Sequence, residues 1–186
     1  LISIPPINGT DIVIKNFSKI IKKCNSKWIT YLSATSVYGN HNGEWVDEQS
    51  EVHPTSKNGK DRLIAEKDWI SLSHEEKMPI QIFRLSGIYS SKNNPLARLK
   101  SGNVSIIKKT NHFFSRIHID DIANILFKSL LSFKSKEIYN ISDDKPASSE
   151  EVMLYAVKIL NVQKPKRINL EGIQSEMLRN FYKDSK

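Results

Sequence analysis

Residues 28–66, WITYLSATSVYGNHNGEWVDEQSEVHPTSKNGKDRLIAE, decide the fold of this chain. Trp28–Leu32 (WITYL) is a β-rich apolar run that reads as a buried strand. A polar loop follows, rich in Gly, Asn and acidic residues. Thr55 or Ser56 then offers an N-cap for a helix predicted to run to about Leu72. Strand, loop and helix in that order form a βα unit, and the rest of the chain repeats it.

Upstream, Ile2–Ile4 is a short apolar piece stopped by Pro5 and Pro6, and Val13, Phe17, Ile20 and Cys24 fall at helical spacing. Downstream, Ile80–Leu85 (IQIFRL) reads as a strand, Pro95–Leu99 as a short helix and Asn103–Lys108 as a short strand. Phe113–Ile119 is β-compatible. Asp120 is the expected cap of a helix facing inward through Ile122, Ile125, Leu126 and Leu130. Glu137–Ile141 reads as a further strand. Ser148 and Glu151 form a capping box for a helix with Val152, Tyr155, Ala156 and Ile159 expected inward. This alternation predicts an α/β fold: a doubly wound, mostly parallel sheet of Rossmann type with a small C-terminal lobe. Residues 1–90 read as the later half of the nucleotide-binding core, and 91–186 as a mixed core return and substrate lobe. In such sheets ligands sit outside the carboxyl ends of the strands, which directs attention to Ser3–Pro6, Ser33–Gly39 and Ser86–Tyr89.

With 186 residues there is enough chain for one full core, and 39% hydrophobic against 26% charged residues excludes a disordered composition. No apolar run reaches the ~18 residues a membrane helix needs, so no membrane partner is expected. The first residues lack the pattern of a signal peptide and do not start with Met, so the chain reads as the later part of a longer protein. The single Cys24 allows no internal disulfide, reads as a small core residue on a helix face, and fits a cytoplasmic location. Net charge is +8, but the lysines are spread over every segment without interleaved aromatic residues. That pattern suits a solvated basic surface or an anionic small-molecule ligand better than a nucleic-acid groove.

Five ordered segments carry a family resemblance. SATSVYG (33–39) resembles the S-[ST]-x-x-V-Y-G segment of extended short-chain dehydrogenases/reductases, and HPTSKNGKDRLIAE (53–66) matches their P-x-S-x-Y-G-x-S-K-x-x-A-E helix. FRLSGIYS (83–90) resembles R-x-x-x-[IV]-Y-G-P, RIHIDDIA (116–123) resembles F-I-H-V-D-D-[VL]-A, and YNISDD (139–144) resembles Y-N-[VI]-G-[DS]. Ser3–Pro6 and Trp45–Glu48 add the S-I-P-P and W-V-D-E of the nucleoside-diphosphate-sugar epimerase-like branch. The resemblance implies binding of NAD or NADP through Ser3, Ile4, Pro5, Ser33, Ala34, Arg62, Leu85, Ser86, Gly87 and Ile88. It also implies a small-molecule substrate of nucleotide-sugar type, and a homodimer formed by flanking helices. The pyrophosphate loop of the family is expected upstream. No GxGxxG or GxxGxxG occurs here, and Gly9, Gly39 and Gly43 read as turn glycines.

Redox members of the family use a tyrosine as acid/base and a lysine one turn later, which lowers the tyrosine pKa from ~10 and holds the ribose. A Ser or Thr four residues before the V-Y-G tyrosine polarises the substrate oxygen. In this chain those positions hold Asn58, Arg62 and Ala34. Asn carries no titratable proton near neutral pH, and a guanidinium is not a general acid. The candidate catalytic positions are therefore Tyr38, Thr35, Asn58 and Arg62. Thr35, with Ser33 and Ser36, stands in for the lost hydroxyl, and Tyr38 is either a substitute acid or a residue packed beside the cofactor.

A YxxxK at Tyr182–Lys186 reads as a surface helix. His118, Asp120 and Asp121 read as a strand residue and a helix cap rather than a metal site; no metal is expected. Arg84 and Arg116 stand near the expected cleft, either to bind a substrate phosphate or to pair with an acidic neighbour such as Asp120. Asp47 and Glu48 lie on a loop that either overhangs the site or is solvated. Two functions stay open: an NAD(P)-dependent epimerase, dehydratase or oxidoreductase, and a non-catalytic dinucleotide-binding or sensing protein.

Overall fold

The computed structural model describes residues 1–102, 104–107, 109–110, 112–173, 179 and 182. Helix α1 (Ile12–Lys23) starts where the Asp11 carboxylate accepts from the N–H groups of Val13 and Ile14. Strand β1 (Ile29–Ala34) runs into a 3-10 turn, Thr35–Val37, and α2 (Lys57–Glu75) opens on Ser56, whose hydroxyl accepts from Gly59 N–H. Strand β2 (Ile80–Leu85) is buried along its whole length, as its apolar run requires. Beyond it come β3 (Gly87–Tyr89), α3 (Pro95–Lys100), β4 (Ile106–Ile107), β5 (Phe113–Phe114), β6 (Arg116–His118) and α4 (Ile119–Leu131). Strand β7 (Ile138–Ile141), β8 (Ala147–Ser148), α5 (Ser149–Leu160) and β9 (Arg167–Ile168) complete the described elements.

The main sheet has the order β1-β2-β7, all parallel, in the register Leu32↔Phe83 and Phe83↔Tyr139. Ile2 adds a parallel bridge to Tyr31 at the outer edge of β1. Strand–helix–parallel strand connections account for this order, so the expected parallel α/β sheet is present. Short pairs lie outside it: β3 beside β6 in parallel, β4 beside β9 in parallel, and β5 against β8 antiparallel. Helix α3 packs on α5 among these short pairs.

The core divides at the sheet. On one side Val13, Tyr31, Ala65, Trp69, Met78, Ile80 and Ile82 pack under α1 and α2. On the other, Phe83, Leu85, Ile117, Ile122 and Ile141 pack under α4. Ile80–Leu85 has the predicted bounds, and the capping box at Ser148 and Glu151 forms in both directions. Gly9, Gly39 and Gly43 all take positive φ, as turn glycines do.

Helix faces were the less legible part. In α1, Val13 is buried but Phe17 and Ile20 are 49% and 59% exposed, with Ile14 and Ile21 completing the inner face. Cys24 is exposed and caps the C-terminus of α1, so it is no core residue. The inner face of α5 is Met153, Ala156 and Val157, one position on from the expected stripe, leaving Tyr155 and Ile159 exposed. Leu130 likewise faces outward from α4. His118, not Asp120, is the N-cap of α4, its ring nitrogen accepting from Asp120 N–H, with Asp120 and Asp121 in the first turn. Apolar positions adjacent on two overlapping stripes satisfy the same spacing, and tertiary packing chooses between them. Asn103, Lys108 and Lys186, which bound the expected β4 and the YxxxK, lie outside the described residues. Tyr182 is buried, stacks on His112 and donates to Ser149 Oγ.

Candidate functional site

A polar network lies beneath the carboxyl ends of the sheet strands. Glu66 projects inward from α2 and accepts from Ser33 Oγ at 2.5 Å. Arg84, the fifth residue of β2, donates through Nε to both Glu66 oxygens at 3.2 and 3.3 Å and through Nη2 to Oε2 at 2.8 Å. Its Nη1 donates to the Tyr38 hydroxyl at 2.9 Å, which donates to Asn140 Oδ1 at 2.8 Å. The Asn140 backbone N–H in turn donates to Glu48 Oε1 at 2.6 Å. The network therefore ties β1, α2, β2 and β7 to the loop that carries Trp45–Glu48. Burial opposes the Arg84 charge, but the Glu66 carboxylate and the Tyr38 hydroxyl hold the guanidinium above its ordinary range. Of the alternatives for Arg84, the geometry selects an acidic partner, and that partner is Glu66.

Tyr38 is fully buried, with the Arg84 guanidinium 4.8 Å above its ring. Burial pushes its phenol above the ordinary tyrosine value, opposed by Arg84. A hydroxyl committed to two partners inside the core is poorly placed for proton exchange with a ligand. It acts as a strut between β2 and β7.

The remaining sequence-derived positions surround the end of β1. Ala34 is its last residue and Thr35 opens the 3-10 turn, both half-buried. Asn58 is exposed on the first turn of α2, and Arg62 follows one turn later, half-buried. Gly59 lets that turn approach: a Cβ there would stand 2.5 Å from Ser36 O. Arg62 Nη1 donates to Leu32 O at 2.5 Å. The ladder explains this contact. Ile2 N–H donates to Thr30 O, and Leu32 N–H donates to Ile2 O; a parallel partner would next donate to Leu32 O. Arg62 fills that place. Ser3, Ile4 and Pro5 consequently leave β1 after a single bridge and are exposed beside it. The charge of Arg62 also stands near the Tyr31 phenol, which burial pushes up to about 12 against the effect of that charge.

On the neighbouring strand end, Leu85 and Ser86 are buried while Gly87 and Ile88 are exposed. Ser86 N–H donates to Ile141 O, and its hydroxyl is 5% exposed as a residue with no hydrogen-bond partner among the described residues. Ser33, by contrast, is spent on Glu66. The structure thus gathers Ala34, Thr35, Asn58, Arg62 and Ser86–Ile88 at one end of the sheet and withdraws Ser33 and Tyr38 into the core. Sequence reasoning missed Glu66 and Asn140, and left Glu48 open. A signal existed for the first: Glu66 and Arg84 are opposite charges, each embedded among residues that face the core.

Residues 13–142 match the model of the NAD dependent epimerase/dehydratase family. No curated relative matches the chain. Among solved structures, a functionally unknown conserved protein from Silicibacter pomeroyi DSS superposes with a TM-score of 0.91 at 33% identity, over 98% of this chain and 65% of that one. UDP-glucuronic acid 4-epimerase from Bacillus cereus, in complex with UDP-glucuronic acid and NAD, gives 0.74 at 20% identity over 85% and 53%. A dTDP-glucose 4,6-dehydratase from Streptomyces venezuelae with NAD bound gives 0.72 at 15% identity over 81% and 50%. The chain therefore spans about half to two thirds of the length of these structures, and the last two show the fold alone. Among the described residues no helix is long and apolar enough to cross a membrane. A family match over residues 13–142, with the five ordered segments and the parallel sheet that holds them, places this chain in the NAD-dependent epimerase/dehydratase family.

Proposed function

We propose that the protein carrying this chain binds NAD or NADP and acts on a substrate of nucleotide-sugar type, with a site that lacks the tyrosine–lysine proton relay. The observation that carries this reading is the layout at the end of β1. Helix α2 keeps the close approach that Gly59 permits, yet presents Asn58 and Arg62 where a titrating pair would stand. Family membership supports the cofactor, and the UDP-glucuronic acid and NAD bound in the Bacillus cereus enzyme support the substrate class.

The residues present fit a dinucleotide in part. The half-buried Arg62, with Nη1 on Leu32 O, keeps further donors for a nicotinamide riboside, and Ser86 at the neighbouring strand end holds a buried hydroxyl without a partner among the described residues. When bound, the cofactor supplies hydride acceptance and return. Arg62 orients a ribose hydroxyl or phosphate by charge and hydrogen bonding, and Asn58 and Thr35 orient a substrate oxygen. None of these three holds a proton that it can give up near neutral pH. Proton movement then falls to substrate groups or water, at a reduced rate.

Titrating NADH and NADPH into the protein by nicotinamide fluorescence tests the binding half of this reading. Saturable binding of one of them, weakened about tenfold or more in Arg62→Ala, is the expected result. Binding equal in the native protein and the variant would remove Arg62 from the site. Absence of binding to either cofactor would reject the whole reading.

A further inference from the structure

Helix α4 is apolar on both sides. Ile122, Ile125 and Leu126 pack inward against Phe83, Leu85 and Ile141. On the opposite side Phe127, Leu130 and Leu131 are 63%, 52% and 73% exposed, and Ala123, one turn before Phe127, is exposed with them. A helix that is apolar all round is normally buried all round, so this outward face calls for a cover. The charges on α4 define what fits it. Asp120 and Asp121 occupy the first turn and Lys128 the last, with the exposed Lys134 just beyond the end. The Asp120 side chain is 81% exposed, 3.5 Å from the His118 ring. Asp121, Lys128 and Lys134 make no ion pair among the described residues. The stripe is also symmetric about Phe127: Ala123 and Leu131 stand four residues to either side of it, and Asp120 and Lys134 seven. Small therefore balances large, and negative balances positive, across one central aromatic residue.

We propose that the outward face of α4 binds a second copy of this chain, running antiparallel, about a two-fold axis at Phe127. On that axis Phe127 meets its own counterpart, as an isologous contact requires. Ala123 of each copy faces Leu131 of the other, and Asp120 of each stands level with Lys134 of the other. The other exposed apolar faces lack this self-complementarity. On α1, Phe17 and Ile20 are flanked by Lys15, Lys19, Lys22 and Lys23 with no acidic residue in the first turn, so self-pairing would bring like charges together. On α5 the acidic residues are used within the chain: Glu150 pairs with Arg167, and Glu151 closes the capping box. A seam of one helix per copy buries less than the roughly 1,200 Å² at which standard interfaces begin, so the dimer is weak and concentration-dependent. It is independent of what the end of the sheet binds, because α4 lies across the sheet from α1 and α2.

Sedimentation equilibrium over a wide range of protein concentration tests this. The native protein is expected to pass from monomer to dimer as concentration rises. Phe127→Asp puts two like charges together on the axis and should weaken the dimer about tenfold or more. Leu131→Lys, at the most exposed of the three positions, makes the same test if the first variant does not fold. Asp120→Lys alone and Lys134→Asp alone are each expected to weaken the dimer about threefold or more, since each turns an attractive pair into a repulsive one at both ends of the seam. Combined, they are expected to restore the native affinity, and that recovery is specific to the antiparallel pairing. A protein that stays monomeric at every concentration, its α4 covered by another segment of a longer chain or by a different partner, would overturn the proposal. So would a dimer indifferent to both Phe127→Asp and Leu131→Lys, or charge reversals that the combination does not rescue.

Discussion

Replacing Arg84 with Met is expected to destabilise the protein by about 3–5 kcal/mol, because it leaves a buried carboxylate without its cation. The Glu66 side chain is 1% exposed and that of Arg84 5%, so no solvent reaches the ion that remains. For a chain of this size the loss corresponds to a drop in melting temperature on the order of 10 °C. Among the described residues only Ser33 Oγ would still donate to the Glu66 carboxylate, and the Tyr38 hydroxyl would lose its Arg84 donor. The pair Glu66→Gln, Arg84→Met is expected to recover part of the loss, since apolar or neutral replacement of both partners removes the stranded charge. Urea unfolding of the two variants measures this. A single variant within ~1 kcal/mol of native would show that the network contributes little.

Trp69→Ala is the second large effect, at about 3–5 kcal/mol for truncating a fully buried aromatic residue. Trp69 is 0% exposed and stacks on Tyr31 with ring centroids 6.1 Å apart. Its Nε1 donates to Asp11 Oδ2 at 2.9 Å, so α2 holds the residue that caps α1. The substitution opens a cavity between the two helices and the sheet, and leaves one Asp11 oxygen without its donor. Trp69→Phe separates the contributions, because it keeps most of the volume and loses the hydrogen bond to a buried carboxylate at a cost of about 1.5–3 kcal/mol. Equal melting of the Ala and Phe variants would mean that the packing around Trp69 collapses freely, contrary to this account.

The two variants bear on what could be read from the sequence. Strand identities and the parallel sheet were legible because Ile80, Ile82, Phe83 and Leu85 make Ile80–Leu85 largely apolar, and a strand buried on both faces leaves that trace. Caps were legible where side-chain chemistry is local, as at Ser56 and Ser148. Helix orientation was less so: Phe17 and Tyr155 fit an inward stripe by spacing but lie outside. At the site, the absence of the tyrosine and lysine was plain from Asn58 and Arg62. The roles of the residues that remain were not. Tyr38 looked like a candidate acid because its motif precedes the site, and only the packing of Arg84 and Asn140 around its hydroxyl assigns it to the core. Arg62 closing the ladder at Leu32 depends on where the Ile2 strand stops, which spacing along the chain does not encode. Gly59 was visible as a motif glycine, and its reason, the approach of α2 to Ser36 O, is geometric. The proposed reading is that this chain keeps the family scaffold without the tyrosine–lysine proton relay.

The direct test of that claim is turnover in the native protein, in Asn58→Tyr/Arg62→Lys and in Tyr38→Phe. UDP-glucose, UDP-glucuronic acid and dTDP-glucose are supplied with NAD+ or NADP+, and conversion of the sugar nucleotide is followed by chromatographic separation of substrate and product, since a hydride that is taken and returned leaves no net reduced nicotinamide. Restoring a positioned acid/base on an intact scaffold is expected to raise the rate by on the order of 100-fold for at least one substrate. Tyr38→Phe is expected to leave the native rate per folded molecule unchanged. Native turnover that equals the double variant, or that vanishes in Tyr38→Phe, would contradict the account and place a working proton donor in the site as it stands.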